Sequence, residues 1–266
     1  MHKVALISGG SSGIGLACAR TLAKRGYRVA LLARDPVRLQ AAADLIQREA
    51  GSSPVVYCGD VTDERFCIQA VEDLAAGSGR LDWLITCAGI VEPSLIEATS
   101  VESLRRQMET NYFGSLNLVV PAIDAMRRAG GGRMTLVASG AAFMGLAGYG
   151  GYAPSKFAVR ALAEVLRVEL AQRNIEVSVA CPPDTDTPQL DAENKSRPAI
   201  TRLLASRGGV MSADDVARKL IAGAEAGRFM LTPSMGMWAL SAFSSLYAPF
   251  FRRKQARMMK RLGEQN

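Results

Sequence analysis

Tyr152 and Lys156, in the run Tyr-Ala-Pro-Ser-Lys, stand four residues apart, which on a helix sets a phenol and an ammonium on one face. A free phenol has a pKa of about 10 and shuttles protons poorly at neutral pH, whereas a nearby positive charge favours its phenolate. Ser139, ending Leu-Val-Ala-Ser, precedes the phenol by 13 residues and adds a hydroxyl able to hydrogen-bond an oxygen on which charge develops. The spacing Y-x-x-x-K alone is a frequent coincidence. A serine at a strand end ahead of it makes a proton-transfer constellation if one crevice holds all three groups. The single histidine, His2, is terminal, so His-based triads, His-metal sites and a histidine base are excluded. Five cysteines, Cys18, Cys58, Cys67, Cys87 and Cys181, form no C-x-x-C pair. They offer neither zinc spacing nor a disulfide framework, so no metal and a reducing compartment are expected.

A second constellation opens the chain: Ser8-Gly9-Gly10-Ser11-Ser12-Gly13-Ile14-Gly15 follows an apolar run and leads into a helical stretch. Glycines there let the backbone turn tightly and approach a pyrophosphate, whose charge the helix amides meet. A tight turn with no ligand is the other reading of the same residues. About 20 residues further on, where an acid would hold a free ribose 2′-hydroxyl, stand Arg34 and Asp35. Arg34, joined by Arg38 a turn later, would grip a 2′-phosphate and favour NADP(H), unless both are simply solvated surface charges.

These residues need a scaffold that brings them together. Short apolar runs at 3–8, 28–33, 54–58, 81–86, 133–138 and 175–181 alternate with helical stretches at 13–26, 36–50, 62–76, 97–129 (broken near Asn111) and 153–173. The pattern predicts an α/β fold, a doubly wound, Rossmann-type parallel sheet of about seven strands in one domain. Residues 182–211 are polar and interrupted by prolines, and 212–226 reads as a helix with Ser212 as its cap. We therefore expect a domain over 1–231, including a substrate lid at 182–226, and a tail over 232–266.

At these residues the chain resembles the short-chain dehydrogenase/reductase family. The glycine turn, Asp60 in Gly-Asp-Val, Thr86-Cys87-Ala88-Gly89, Asn111, Ser139 and Tyr152/Lys156 stand in family order and span nearly the whole domain. The resemblance implies Tyr152 as catalytic acid/base and Ser139 as the substrate-oxygen partner. It implies that Lys156 binds the nicotinamide ribose and lowers the tyrosine pKa, and that Asn111 holds a relay water. The cofactor contacts it implies are Gly9, Ser11, Ser12, Gly13, Ile14, Gly15, Arg34, Arg38, Asp60, Val61, Ala88, Gly89, Tyr152, Lys156, Pro182, Thr185 and Thr187. Thr86-Cys87 departs from the Asn-Asn of many members, and Pro183 from their Pro-Gly. The run Pro182-Pro-Asp-Thr-Asp-Thr-Pro188 is similar to the branch of the family that reduces 3-ketodihydrosphingosine, which implies a long-chain keto-lipid substrate. Another lipophilic carbonyl, a 3-oxoacyl thioester or a steroid, and a non-catalytic NADP(H) sensor or scaffold are the alternatives. The family also implies a homodimer or homotetramer.

The chain has 266 residues, 48% of them hydrophobic, and a formal charge of +7. Residues 252–266 carry six basic side chains and one acid, Glu264, leaving only +2 for residues 1–251. No basic stripe with interleaved aromatics precedes them, so nucleic acid is not an expected partner. Residues 229–251 carry no charge, and Pro233, Gly236 and Pro249 argue against a clean spanning helix. Residues 232–261 would thus contact a membrane surface, cover the substrate pocket or pack in an oligomer interface. The N-terminal apolar run is too short for a signal peptide, so the expected location is cytoplasmic, peripheral on the cytoplasmic face of a membrane.

Overall fold

The structure, a computed structural model, describes residues 2–205 and 209–263. Its centre is a parallel sheet. The first four strands are β1 (Val4–Ser8), β2 (Arg28–Ala33), β3 (Val55–Cys58) and β4 (Trp83–Thr86). They are followed by β5 (Gly132–Val137) and β6 (Ile175–Ala180). Along β1, Val4 and Leu6 enter one core cluster and Ala5 and Ile7 the other, as the twofold alternation of a strand requires. Both faces are therefore covered, which explains why the strand sequences read as continuous apolar runs.

Helices α1 (Gly13–Lys24) and α2 (Pro36–Ala50) cover one face; α3 (Glu64–Ser78), α5 (Gly114–Arg128) and α6 (Tyr152–Glu169) cover the other. Asp35 caps α2 by accepting from the amides of Val37 and Arg38, both at 3.0 Å. The helical stretch expected over 97–129 begins as α4 (Val101–Met108), passes through a π-turn at Glu109–Phe113, and resumes as α5. Asn111 lies inside that turn, at the break the sequence predicts. Gly114 opens α5 because a Cβ there would lie 2.5 Å from Val61.

Beyond β6 come β7 (Thr185–Asp186), α7 (Pro188–Ser196), α8 (Ala199–Ala205), β8 (Met211–Ser212) and α9 (Ala213–Glu225). Within the segment 182–226, Val216, Ala217, Leu220 and Ile221 of α9 are buried in the main core. Ser212 caps α9 by accepting from Asp215 N at 3.1 Å. β9 (Met230–Leu231) then pairs with β6 and completes the seven-stranded order β3-β2-β1-β4-β5-β6-β9. The winding reverses between β1 and β4, so a crevice opens at their carboxyl ends. α10 (Met235–Gly263) closes the described chain and buries Phe251 and Gln255, Gln255 bonding the backbone of Gly145 and Ala147. No described helix is long and apolar enough to cross a membrane. Glu264, at the end of the tail, lies outside the described residues.

Candidate active site

The glycine turn sits at the reversal point. Gly9 and Gly13 have φ of +65° and +53°, which only glycine adopts without strain. A Cβ on Gly15 would stand 2.3 Å from Gly9 O, and one on Gly13 would stand 2.9 Å from Thr187 Cγ2. The loop is thus folded against itself and against the segment after β6. Ser12 precedes α1 in extended conformation, makes no side-chain cap, and no acid occupies the first turn. The N-terminal amides of α1 are left for an anionic ligand, so this turn fits a dinucleotide pyrophosphate. Ser11 and Ile14 flank it, half-buried. Ala88 and Gly89 follow β4 beside Gly9, Ala88 N donating to Ser8 Oγ at 3.2 Å.

At the end of β2 the Asp35 carboxylate is occupied with the α2 amides. Arg34 is 62% exposed and pairs weakly with Asp60 at 3.4 Å; Arg38 pairs with Asp35 at 3.3 Å. Two guanidiniums therefore stand available at this edge, and neither is locked by a strong buried partner. Val61 differs from the others: its side chain belongs to the core, leaving only its backbone to face a ligand.

Ser139 lies just past β5 and its Oγ accepts from Ala141 N at 3.1 Å. Tyr152, the first residue of α6, shares a side-chain hydrogen bond with Ser139. Lys156 lies one turn along the same helix face, buried, with Nζ donating to Val137 O at 3.0 Å and standing 5.7 Å from the Tyr152 ring centroid. Burial lowers its pKa to about 8. The electrostatics differ from expectation at Tyr152. Burial pushes the phenol above its ordinary value, the Ser139 bond opposes this, and the negative charges of Glu193 and Asp184 add to the rise. Lys156 does not figure among the causes of this rise. The phenol is consequently held protonated, which is the form an acid needs. Asn111 is fully buried: Oδ1 accepts from Ile90 N at 2.7 Å, and Nδ2 donates to Ile90 O and Ser155 Oγ at 2.9 and 2.8 Å. It braces the strand-end loop behind Lys156, whose Nζ and Asn111 Oδ1 would both contact a Cβ on Gly89.

One cleft of about 570 Å³ joins these parts. Its wall includes Gly9, Ser12 to Gly15, Ala88, Gly89, Ser139, Tyr152, Lys156, Pro182, Thr185 and Thr187. Arg34, Arg38 and Asp60 lie beyond it, at the β2 and β3 ends. Pro183 causes no strain, since Asn174 is the only described non-glycine residue with positive φ. The departure at Thr86-Cys87 leaves Thr86 Oγ1 buried without a partner. Of the three readings of the tail, covering the pocket is met by Met237, Leu240 and Phe251 of α10, which supply an apolar end of the wall. Sequence reasoning gave no role to the polar end, supplied by Tyr149, Asp184 and Glu193.

The family model for short chain dehydrogenases matches residues 3–198. The chain belongs to the short-chain dehydrogenase family. Within this family it is 36% identical to 3-dehydrosphinganine reductase of Danio rerio over 92% of this chain and 75% of that one. It is also 36% identical, with the same coverage, to 3-ketodihydrosphingosine reductase of Mus musculus. Among solved short-chain dehydrogenases, actinorhodin polyketide ketoreductase with NADPH superimposes with a TM-score of 0.81 at 27% identity, covering 89% of this chain and 97% of that one.

Proposed function

We propose that this short-chain dehydrogenase reduces the 3-keto group of 3-dehydrosphinganine to the hydroxyl of sphinganine, using NADPH. The observation that carries the reading is the single cleft in which a phosphate cradle, the Ser139/Tyr152/Lys156 set and an apolar wall meet. The similarity to 3-dehydrosphinganine reductases over most of the chain supports it. NADPH, when bound, supplies the hydride. The α1 amides and the turn Gly9 to Gly15 hold its pyrophosphate, Arg34 and Arg38 its 2′-phosphate, and Asp60 with the Val61 backbone its adenine end. Lys156 holds the nicotinamide ribose, and Ala88, Gly89, Pro182, Thr185 and Thr187 shape the space around it. Ser139 and Tyr152 hydrogen-bond the substrate carbonyl oxygen, and Tyr152 hands its proton to that oxygen as the carbon is reduced. Lys156 and a water anchored at Asn111 return the proton to the phenol.

NADPH oxidation measured with 3-dehydrosphinganine, a 3-oxoacyl thioester and a ketosteroid tests the substrate. Preference for either of the last two overturns it, and no turnover of any points to a sensor. For the cofactor, Arg34→Ala raises the KM for NADPH about tenfold or more, the scale of a lost hydrogen bond between charged groups, and spares NADH. An unchanged ratio of the two refutes the 2′-phosphate contact.

The protein works in the cytoplasm, peripherally on a membrane. Trp238, Phe243, Leu246, Tyr247 and Phe250 of α10 are exposed, while Met237, Leu240 and Phe251 of the same helix line the cleft. An outward apolar row ahead of Arg252, Arg253 and Lys254 suits an interface with anionic headgroups, from which an alkyl chain would reach the apolar end of the cleft. The 266-residue chain floats with anionic liposomes and a chain ending at Gly236 does not; equal flotation removes the anchor. A homodimer or homotetramer forms through exposed apolar residues of α5 and α6, Val120, Val165 and Val168 among them.

A further inference from the structure

Between the catalytic phenol and α7 lies a charged network that reduction as described does not use. The rings of Tyr149 and Tyr152 meet edge to face with centroids 5.4 Å apart. The Tyr149 hydroxyl donates to Glu193 Oε1. Arg197, just past α7, donates to the same oxygen from Nε at 2.8 Å and from Nη2 at 2.7 Å, and reaches Asp184 Oδ2 at 3.0 Å. The side chains of Glu193 and Arg197 are only 8% and 5% exposed.

Three features set this network apart from an ordinary buried ion pair. Tyr149, Asp184 and Glu193 line the cleft, whereas Arg197 is not part of its wall, so the acids face the ligand space and the base stands behind. Two carboxylates share one guanidinium, which leaves one negative charge in excess. Every bond to the Glu193 carboxylate ends on Oε1, and Oε2 has no hydrogen-bond partner among the described residues. Glu193 lines the cleft, so a cation placed there meets this free oxygen and gains a charge-assisted hydrogen bond. Burial raises the Glu193 pKa while the Tyr149 and Arg197 bonds oppose the rise.

We infer that Glu193, assisted by Asp184, forms an ammonium subsite that selects ketones carrying an amino group on the carbon next to the carbonyl. The inference rests on the proposed substrate, because 3-dehydrosphinganine carries its amine on that carbon. The contact between Tyr149 and Tyr152 sets the subsite beside the phenol that protonates the carbonyl oxygen. A 3-oxoacyl thioester or a ketosteroid brings no such cation.

The test compares wild type and Glu193→Gln on 3-dehydrosphinganine and on its analogue with hydrogen in place of the amino group. NADPH binding, read by nicotinamide fluorescence, checks that the cleft is folded. Wild type prefers the amino ketone by about tenfold or more in kcat/KM, the range of a charge-assisted hydrogen bond. Glu193→Gln loses most of that preference, its kcat/KM falling about tenfold further on the amino ketone than on the analogue. Equal losses on both substrates make the network a mere brace for α7 and overturn the subsite. Where Glu193→Gln fails to bind NADPH, Asp184→Asn and the wild-type preference decide, and absence of preference in wild type overturns the subsite by itself. Wild type that reduces both ketones equally removes the subsite and leaves the substrate class standing. Wild type that ignores 3-dehydrosphinganine but reduces a ketosteroid brings down the substrate reading itself.

Discussion

Tyr152→Phe lowers kcat by about 10²–10⁴-fold, the range of a lost general acid, and leaves NADPH binding largely intact. The substitution removes one oxygen and keeps the ring, which packs against Tyr149 and lies under Lys156 Nζ. Lys156 is held by Val137 O and not by the phenol, so its place beside the cofactor pocket survives. Ser139 loses a partner but keeps its bond from Ala141 N. The loss therefore falls on proton delivery to the carbonyl oxygen. Steady-state NADPH oxidation and a fluorescence titration of NADPH measure the two halves separately. Full turnover in the variant ends the assignment of Tyr152 as the acid, and loss of NADPH binding in step with turnover shows that the phenol mattered for the pocket instead.

Gly15→Ala weakens NADPH binding by about ten- to a hundredfold, the equivalent of the 1–3 kcal/mol that overpacking costs. The added Cβ would lie 2.3 Å from Gly9 O and 2.8 Å from Gly9 C, both backbone atoms, with Cys87 Cβ at 3.3 Å behind it. Neither backbone atom can yield without opening the turn that aims the α1 amides. Gly26→Ala provides the contrast: Gly26 has φ of +82° but no atom within 4 Å of the added carbon. It costs some stability through backbone strain and leaves NADPH affinity alone. Isothermal titration and thermal melting on both variants separate the effects. Normal NADPH affinity in Gly15→Ala contradicts the cradle.

Much of the scaffold was legible because its signals are local. Continuous apolar runs mark strands buried on both faces, and Ser212 caps the helix it precedes. Even the break near Asn111 was visible as a discontinuity, although the bond of Asn111 to the Ile90 peptide, 21 residues away in sequence, was not. The lid was less legible. Polarity and prolines mark 182–211 as irregular, but the burial of α9 against α1 follows from partners that periodicity does not name.

The same division runs through the site. Sequence by itself determined the helical spacing of Tyr152 and Lys156, the glycine turn and the serine at a strand end, because each depends on short-range geometry that every α/β chain shares. Tertiary structure decided what those groups experience. It placed Glu193 and Asp184 beside the phenol, with Glu193 lying 44 residues from Tyr149 in sequence, and turned the expected fall in the Tyr152 pKa into a rise. It also brought Met237, Leu240 and Phe251 from the tail into the cleft. Charge and desolvation act through space across a packed, low-dielectric interior, so their sum is set by which distant segments meet there and not by the order of residues along the chain.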